Sequence, residues 1–261
     1  GIEGLEVDDI IMGAAIQQGS TGTNIARQAA IRAGLGVTVP GMSLDRQCAS
    51  GMMAIATAAK QVITDNMDIV VGGGVESVST VQGPKLFVDA DPWMKENQPD
   101  MYMSMLETAE TVAARYGVTR EDQDAYAAQS QERTHQAQLA GRFDDEIVPM
   151  TSIMKVMNKE TKEISEHEVT LEKDEGNRPG TTAESLAGLQ PVFKDGLVIK
   201  EGKFITAGNA SQLSDGASAM LVMSEEKAKA LGLPIRARVK AMAVAGCDPS
   251  IMGYGPVPAS K

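Results

Sequence analysis

Through residues 8–77 the apolar positions switch between continuous runs and helical spacing. DDIIMGAAI, ending at Ile16, is an apolar run of strand length. GTNIARQAAIRAGLG has the spacing of an amphipathic helix, closed by Gly34 and Gly36. VTVPGMSLD reads as extended and is broken by Pro40 and Gly41. An Ala/Ile/Met helix follows, from about Ala49 to Thr64, and DIVVGGGVES is a buried strand ending in three glycines. Strands alternating with helices predict a parallel or mixed sheet covered by helices, the α/β class.

The pattern changes after Ser79. Residues 80–105 carry Pro84, Pro92, Pro99, Trp93 and several Met, and read as irregular. Two helices follow, with Thr119 as an N-cap and Gly141 as a stop. Lys155 to Arg178 is dense in charge and reads as a solvated ribbon or exposed edge. Beyond Pro191 the α/β pattern returns: a Gly-rich loop, a buried strand around Ala219 to Met223, and a helix capped by Ser224. IRARVKAMAVAG is expected to open a new strand. An α/β domain with a long insertion is the simplest organisation, and an insertion of this kind suits a substrate lid.

Composition narrows the function. The net charge of -11 argues against a nucleic-acid partner, whose phosphates need a basic face. No apolar stretch has the length of a membrane span, so no membrane partner is expected. With only 3% aromatic residues and 16 Met, the core is built from small and aliphatic side chains. Cys48 and Cys247 stand far apart and provide neither a disulfide framework nor a metal site, as in a reduced, intracellular protein. The chain starts without Met and stops in GYGPVPASK, which reads as the lead-in to a helix, so both ends are read as cut.

The candidate chemistry centres on Cys48 in SLDRQCASGMMAI. A thiol where a strand hands over to a helix feels the positive end of the helix dipole, which favours the thiolate. Ala49, Ser50 and Gly51 leave room for a ligand, and a Gly in the first helical turn fits close backbone approach. A structural cysteine in a tight corner has the same local pattern. The usual partner base is His, yet His135 and His167 both lie in polar surface-type segments. The three glycines of VVGGGVES lack the GxGxxG spacing of a dinucleotide site and fit tight strand packing. Cys247, in AGCDPSIMG, reads as structural in a strand-to-loop turn, and GNASQLSDG offers short polar donors to a ligand amide.

Taken in order, ARQAAIRAGL, DRQCASGMMAI, VVGGGVESVS, TAETVAARYGVTREDQDAYAAQSQ, GRFDDEIVPM, ITAGNASQLSDGASAMLVMSEEKA and DPSIMGYGPVPA resemble the thiolase family along essentially the whole chain. The resemblance implies a thiolase fold, a mixed sheet with helices that is layered αβαβα in the complete enzyme. It divides the chain into residues 1–79 with 205–232 as a partial N-terminal domain, 80–204 as the lid and 233–261 as the start of the C-terminal domain.

It also implies an acyltransferase acting on acyl-CoA, by thiolysis of 3-ketoacyl-CoA or condensation of acetyl-CoA, in fatty acid metabolism. Coenzyme A is then a substrate, and no cofactor is held permanently. Cys48 matches the acyl acceptor; Arg178, Ser185 and Ser211 match positions facing the nucleotide or pantetheine of CoA; Met105 matches a methionine near the acyl pocket. Leu106 and Glu107 stand where relatives often have Gly after that Met, and ETVA replaces ENVA.

The family's base, a His in a Gly/Pro-bearing loop, and its acid, a Cys in a CxGGGxG turn, have no match in this sequence. The isolated chain is therefore expected to be inactive. The resemblance further implies a cytoplasmic homodimer or homotetramer. A non-catalytic CoA-binding or assembly role is the alternative, and condensing synthases acting on carrier proteins fit less well because they usually lack GRFDDEIVP.

Overall fold

The computed structural model describes residues 2–82 and 86–261; Pro84, in the tract expected to be irregular, lies outside the described residues. The elements run β1 (Asp9–Gly13), α1 (Ile25–Arg32), β2 (Gly41–Leu44), α2 (Ser50–Thr64), β3 (Ile69–Glu76), α3 (Val78–Val81), α4 (Pro92–Asn97) and α5 (Met105–Tyr116). They continue with α6 (Arg120–Leu139), β4 (Met150–Met157), β5 (Ile164–Leu171), α7 (Ala183–Ala187), β6 (Gly216–Met223), α8 (Glu225–Ala230) and α9 (Pro256–Ser260). The chain forms two compact units: Gly1–Asp91 with Leu213–Ala245 and Ser260, and Pro92–Gln212 with Gly246–Ala259 and Lys261.

The first unit is a mixed sheet of order β2-β1-β3-β6. β1 runs parallel to β2 and β3, with Ile10 opposite Gly41 and Val71, while β3 and β6 are antiparallel with Ile69 opposite Met223. Alternation in β1 sends Ile10 and Met12 to one face, against Ala26 and Ala30 of α1, and Ile11 to the other, against Ala54 and Ala58 of α2. Helices on both faces make this the α/β sheet that the pattern predicts, and they explain why β1 is buried along its whole length. Asn24 caps α1 by accepting from the Arg27 N–H, and the chain leaves through Gly34 and Gly36, both at positive φ.

The glycine run is a packing device. A Cβ on Gly72 would lie 2.9 Å from the Ile55 Cα, and one on Gly73 would lie 2.2 Å from the Ser218 carbonyl oxygen. Side chains there would push α2 and β6 off β3.

The second unit holds α5 and α6. Thr119 caps α6 in a capping box with Asp122, and Gly117 and Gly141 end the two helices at positive φ. β4 and β5 form a hairpin ribbon with Met150 opposite Leu171 and Lys155 opposite Glu166, exposed along both strands as expected of the charged tract.

The structure corrects three readings. Residues 80–105 include a short helix, α4, where an irregular stretch is expected. β6 forms where a buried strand is expected, but Met220 and Leu221 are 51% and 47% exposed. The reason is position: β6 is an edge strand, and only its end, Val222 and Met223, packs into the cores. IRARVKAMAVAG makes no strand, because among the described residues it finds no neighbour to complete a ladder.

Candidate active site

In the first unit, β1 is followed by a strand on one side of it and then by one on the other, so the order in which strands are added reverses between β1 and β3, which run parallel. Open α/β sheets bind ligands at the carboxyl ends of strands beside such a switch. Here that edge is formed by Gly13, Gly74 and Glu76, with the β2–α2 turn beside it.

The turn is tightly determined. Gln47 adopts positive φ (49°), a conformation that side chains other than Asn or Asp seldom accept. It is held there by the Gln47 N–H donating to Asp45 Oδ1 at 2.6 Å, by the Arg46 N–H donating to Ser50 Oγ at 2.8 Å, and by Ser50 Oγ donating to the Gln47 carbonyl. Cys48 comes next, exposed and two residues ahead of the first residue of α2. The thiol thus stands free of disulfide bonding, just ahead of the N-terminus of α2.

Close approach at this corner falls on the strands. A Cβ on Gly13 would meet the Ser50 carbonyl carbon at 2.2 Å and the Gly51 nitrogen at 2.5 Å, and one on Gly74 would reach the Gly51 Cα at 3.3 Å. Gly51, read from sequence as the residue of close approach, itself has ordinary space: its Cβ would come no nearer than 3.9 Å to the Gly74 Cα.

Glu76 went unnoticed in the sequence. Its carboxylate accepts from the Ala15 N–H at 2.6 Å and the Ile16 N–H at 3.3 Å, fixing the chain as it leaves β1. The available signal was an acidic residue ending an otherwise apolar strand.

The other candidates all belong to the second unit. Met105 is the first residue of α5, after the cap Ser104, and is 62% exposed. Arg178 is exposed; its N–H donates to Gln131 Oε1, and its carbonyl accepts from Thr181 Oγ1. Ser185 sits on α7, where its hydroxyl donates to the Thr182 carbonyl in a capping box. Ser211 is exposed and its hydroxyl turns to the Gln212 carbonyl at 3.2 Å. Cys247 is exposed in an irregular segment, where the sequence suggests a strand-to-loop turn. Of the histidines, His135 lies half-buried on α6 and His167 lies on the exposed β5, with Nε2 2.9 Å from Ser165 Oγ. Among the described residues, no cluster of three or more His, Cys, Asp or Glu could hold a metal ion, and no helix is long and apolar enough to cross a membrane.

A second group missed by sequence reasoning lies on α5. Glu107, 1% exposed, accepts from the N–H groups of Leu197, Val198 and Ile199 at 2.9, 2.6 and 2.9 Å. Burial pushes this carboxyl up, but the three N–H donors, with the Lys200 charge, outweigh it and hold the group below its ordinary value of 4.5. Glu110, 2% exposed, accepts from Lys203, Phe204 and Ile205 N–H groups in the same way. Acidic residues three apart on a helix look solvated in sequence, which hides a pair turned inward.

The family described as thiolase, N-terminal domain, matches residues 1–226. A 3-ketoacyl-CoA thiolase of Marinomonas sp. (strain MWYL1) is 45% identical over 256 residues, covering 98% of this chain and 62% of the relative. That of Bacillus subtilis (strain 168) is 42% identical over 260 residues, covering 99% and 64%. Among solved structures, the Bacillus anthracis acetyl-CoA acetyltransferase superposes with a TM-score of 0.79 at 40% identity, over 99% of this chain and 64% of that one. The chain therefore spans under two thirds of the length of these relatives. With 226 residues matched to the family model, the chain belongs to the thiolase family.

Proposed function

We propose that this chain carries the acyl acceptor of an acyltransferase that cleaves 3-ketoacyl-CoA with CoA, or runs the same chemistry as condensation of acetyl-CoA. The observation that supports it most is the exposed Cys48 thiol at the N-terminus of α2, on a turn held at positive φ. As thiolate, Sγ adds to the ketone carbonyl of 3-ketoacyl-CoA. The bond between the ketone carbon and its neighbour toward CoA then breaks, the acyl group stays on sulfur, and acetyl-CoA leaves as an enolate that takes up a proton. A CoA thiolate then attacks the new thioester, and the acyl group passes to CoA with return of the Cys48 thiolate. Exchange between thioesters needs little driving force.

In this reading Arg178, Ser185 and Ser211 contact the CoA moiety and Met105 borders the acyl group. An Arg suits an anionic nucleotide in a protein whose overall charge is -11. CoA serves as substrate and the working form is a cytoplasmic homodimer or homotetramer. The names of the relatives, 3-ketoacyl-CoA thiolase and acetyl-CoA acetyltransferase, support an acyltransferase reading.

A second reading, CoA binding without catalysis, is favoured by one observation: neither histidine belongs to the unit that bears Cys48. The separating experiment is CoA-dependent cleavage of acetoacetyl-CoA by the protein carrying this chain. Turnover that drops by at least about a thousandfold in Cys48→Ala supports acyl transfer. CoA binding without any turnover leaves the second reading.

A further inference from the structure

The segment from Pro191 to Ser211 has little regular structure of its own, yet it is heavily tied down from within its own unit. Two isolated bridges, Pro191 to Thr206 and Lys194 to Glu201, close it into a double bend. Each bend wraps a carboxylate of α5: the first gives three N–H groups to Glu107, the second three to Glu110. The fit is close. A Cβ on Gly196 would stand 2.5 Å from the Glu107 carboxyl carbon, and one on Gly202 would stand 2.8 Å from Glu110 Oε1. The bends are therefore shaped around the acids, as a turn of consecutive N–H groups is shaped around a bound anion.

The hold continues toward Ser211. The Thr206 N–H donates to Asn209 Oδ1 at 2.8 Å, and Asn209 Nδ2 donates to the Phe204 carbonyl at 2.9 Å and to Asp124 Oδ1 at 3.0 Å. Asp124 is itself paired with Arg120 Nε at 2.7 Å, and the Ala210 N–H closes on the Thr206 carbonyl. Ser211 is the next residue, and it is exposed.

We propose that Glu107 and Glu110 are positioning residues for CoA recognition, internal anions around which residues 196–205 fold so that Ser211 is presented to the pantetheine amide. This rests on the reading of the chain as CoA-binding. Neither carboxylate touches the ligand; each acts through the backbone it holds. Glu110, bound next to the Thr206–Asn209 knot, carries the larger share.

The test compares the protein carrying this chain with its Glu110→Gln, Glu110→Asp and Glu107→Gln variants. Amide hydrogen exchange reports the loop, calorimetric titration with coenzyme A reports binding, and alkylation of Cys48 by iodoacetamide reports the nucleophile turn. In Glu110→Gln, amides 203–211 are expected to lose protection while those of β1 and β3 keep theirs. The Kd for CoA rises at least tenfold and the alkylation rate stays unchanged. Glu110→Asp, which keeps the charge, recovers part of the affinity, and Glu107→Gln loosens 197–199 with a smaller loss.

If Glu110→Gln does not fold, the other two variants decide by the same criteria. A loosened loop with unaltered CoA affinity overturns the proposal, and so does full protection of 197–211 in every variant. A wild-type protein that binds no CoA overturns it together with the CoA reading. One that binds CoA but takes no acetyl group from acetyl-CoA refutes only the acyl-acceptor role of Cys48, and the Kd comparison still decides for or against Glu107 and Glu110.

Discussion

Gly13 and Ser50 share one corner of the sheet: a Cβ added to Gly13 would sit 2.2 Å from the Ser50 carbonyl carbon. The last residue of β1 thus sets how near the first turn of α2 can come, and with it where Cys48 stands. Gly13→Ala must move backbone against backbone, with no flexible side chain to give way. It is expected to destabilise the protein by about 1–3 kcal/mol and to change the iodoacetamide reactivity of Cys48. Thermal unfolding and a timed alkylation measure the two effects, and unchanged values for both would mean the corner is looser than the geometry indicates.

The positive φ of Gln47 makes a separate demand on the turn. Gln47→Val puts a β-branched residue into the left-handed region and is expected to cost more than about 1–2 kcal/mol, whereas Gln47→Gly stays close to wild type. Chemical denaturation of the two variants distinguishes them; equal stability would show that the turn is free to relax.

Acid should release the first bend of the 196–205 loop. Burial raises the Glu107 carboxyl, and the N–H groups of Ile199, Val198 and Leu197 with Lys200 bring it below 4.5. A group with a lowered folded value contributes its stability above its unfolded value and loses it as pH falls through the folded one. Protection of amides 197–199 is therefore expected to hold at pH 7 and to fall away only below pH 4.5, with the loss complete under the folded value. Glu107→Gln should weaken this protection already at neutral pH. Protection that declines between pH 7 and 5 in the wild type would contradict the assignment.

Asp124 is 3% exposed, and its carboxylate joins Arg120 to Asn209. Asp124→Ala leaves a largely buried guanidinium that still donates to the Leu186 carbonyl but has lost its counter-charge. A loss of roughly 3–5 kcal/mol is expected from an uncompensated buried charge, read as a lowered denaturation midpoint. A loss below about 1 kcal/mol would place the pair in the class of weak surface bridges.

Local signals made the first unit legible in the sequence, because they agree with its tertiary packing. The run Ile10-Ile11-Met12 reads as a buried strand, and it is one; Gly34 and Gly141 stop helices where the pattern puts the stops. The glycines of β3 also read correctly, since strand packing is the alternative to a phosphate turn. Edges were harder to see. Met220 and Leu221 have the composition of a core strand, and composition cannot tell whether a neighbour lies on both sides. The same blindness gave IRARVKAMAVAG a strand that has no ladder here. At the candidate site, the position of Cys48 between a strand and a helix was legible, because the extended run and the Ala/Ile/Met helix on either side of it both have clear local patterns. Glu76, Glu107 and Glu110 were not, since their N–H donors lie about 60 to 95 positions away along the chain.

The central claim is that Cys48 accepts an acyl group from a CoA thioester. Intact-protein mass spectrometry before and after incubation with acetyl-CoA tests it directly, followed by mapping of any modification. The expected result is a gain of one acetyl group, located on Cys48 and absent from Cys48→Ala. An unmodified protein, or an acetyl group found on Cys247 in place of Cys48, would contradict it.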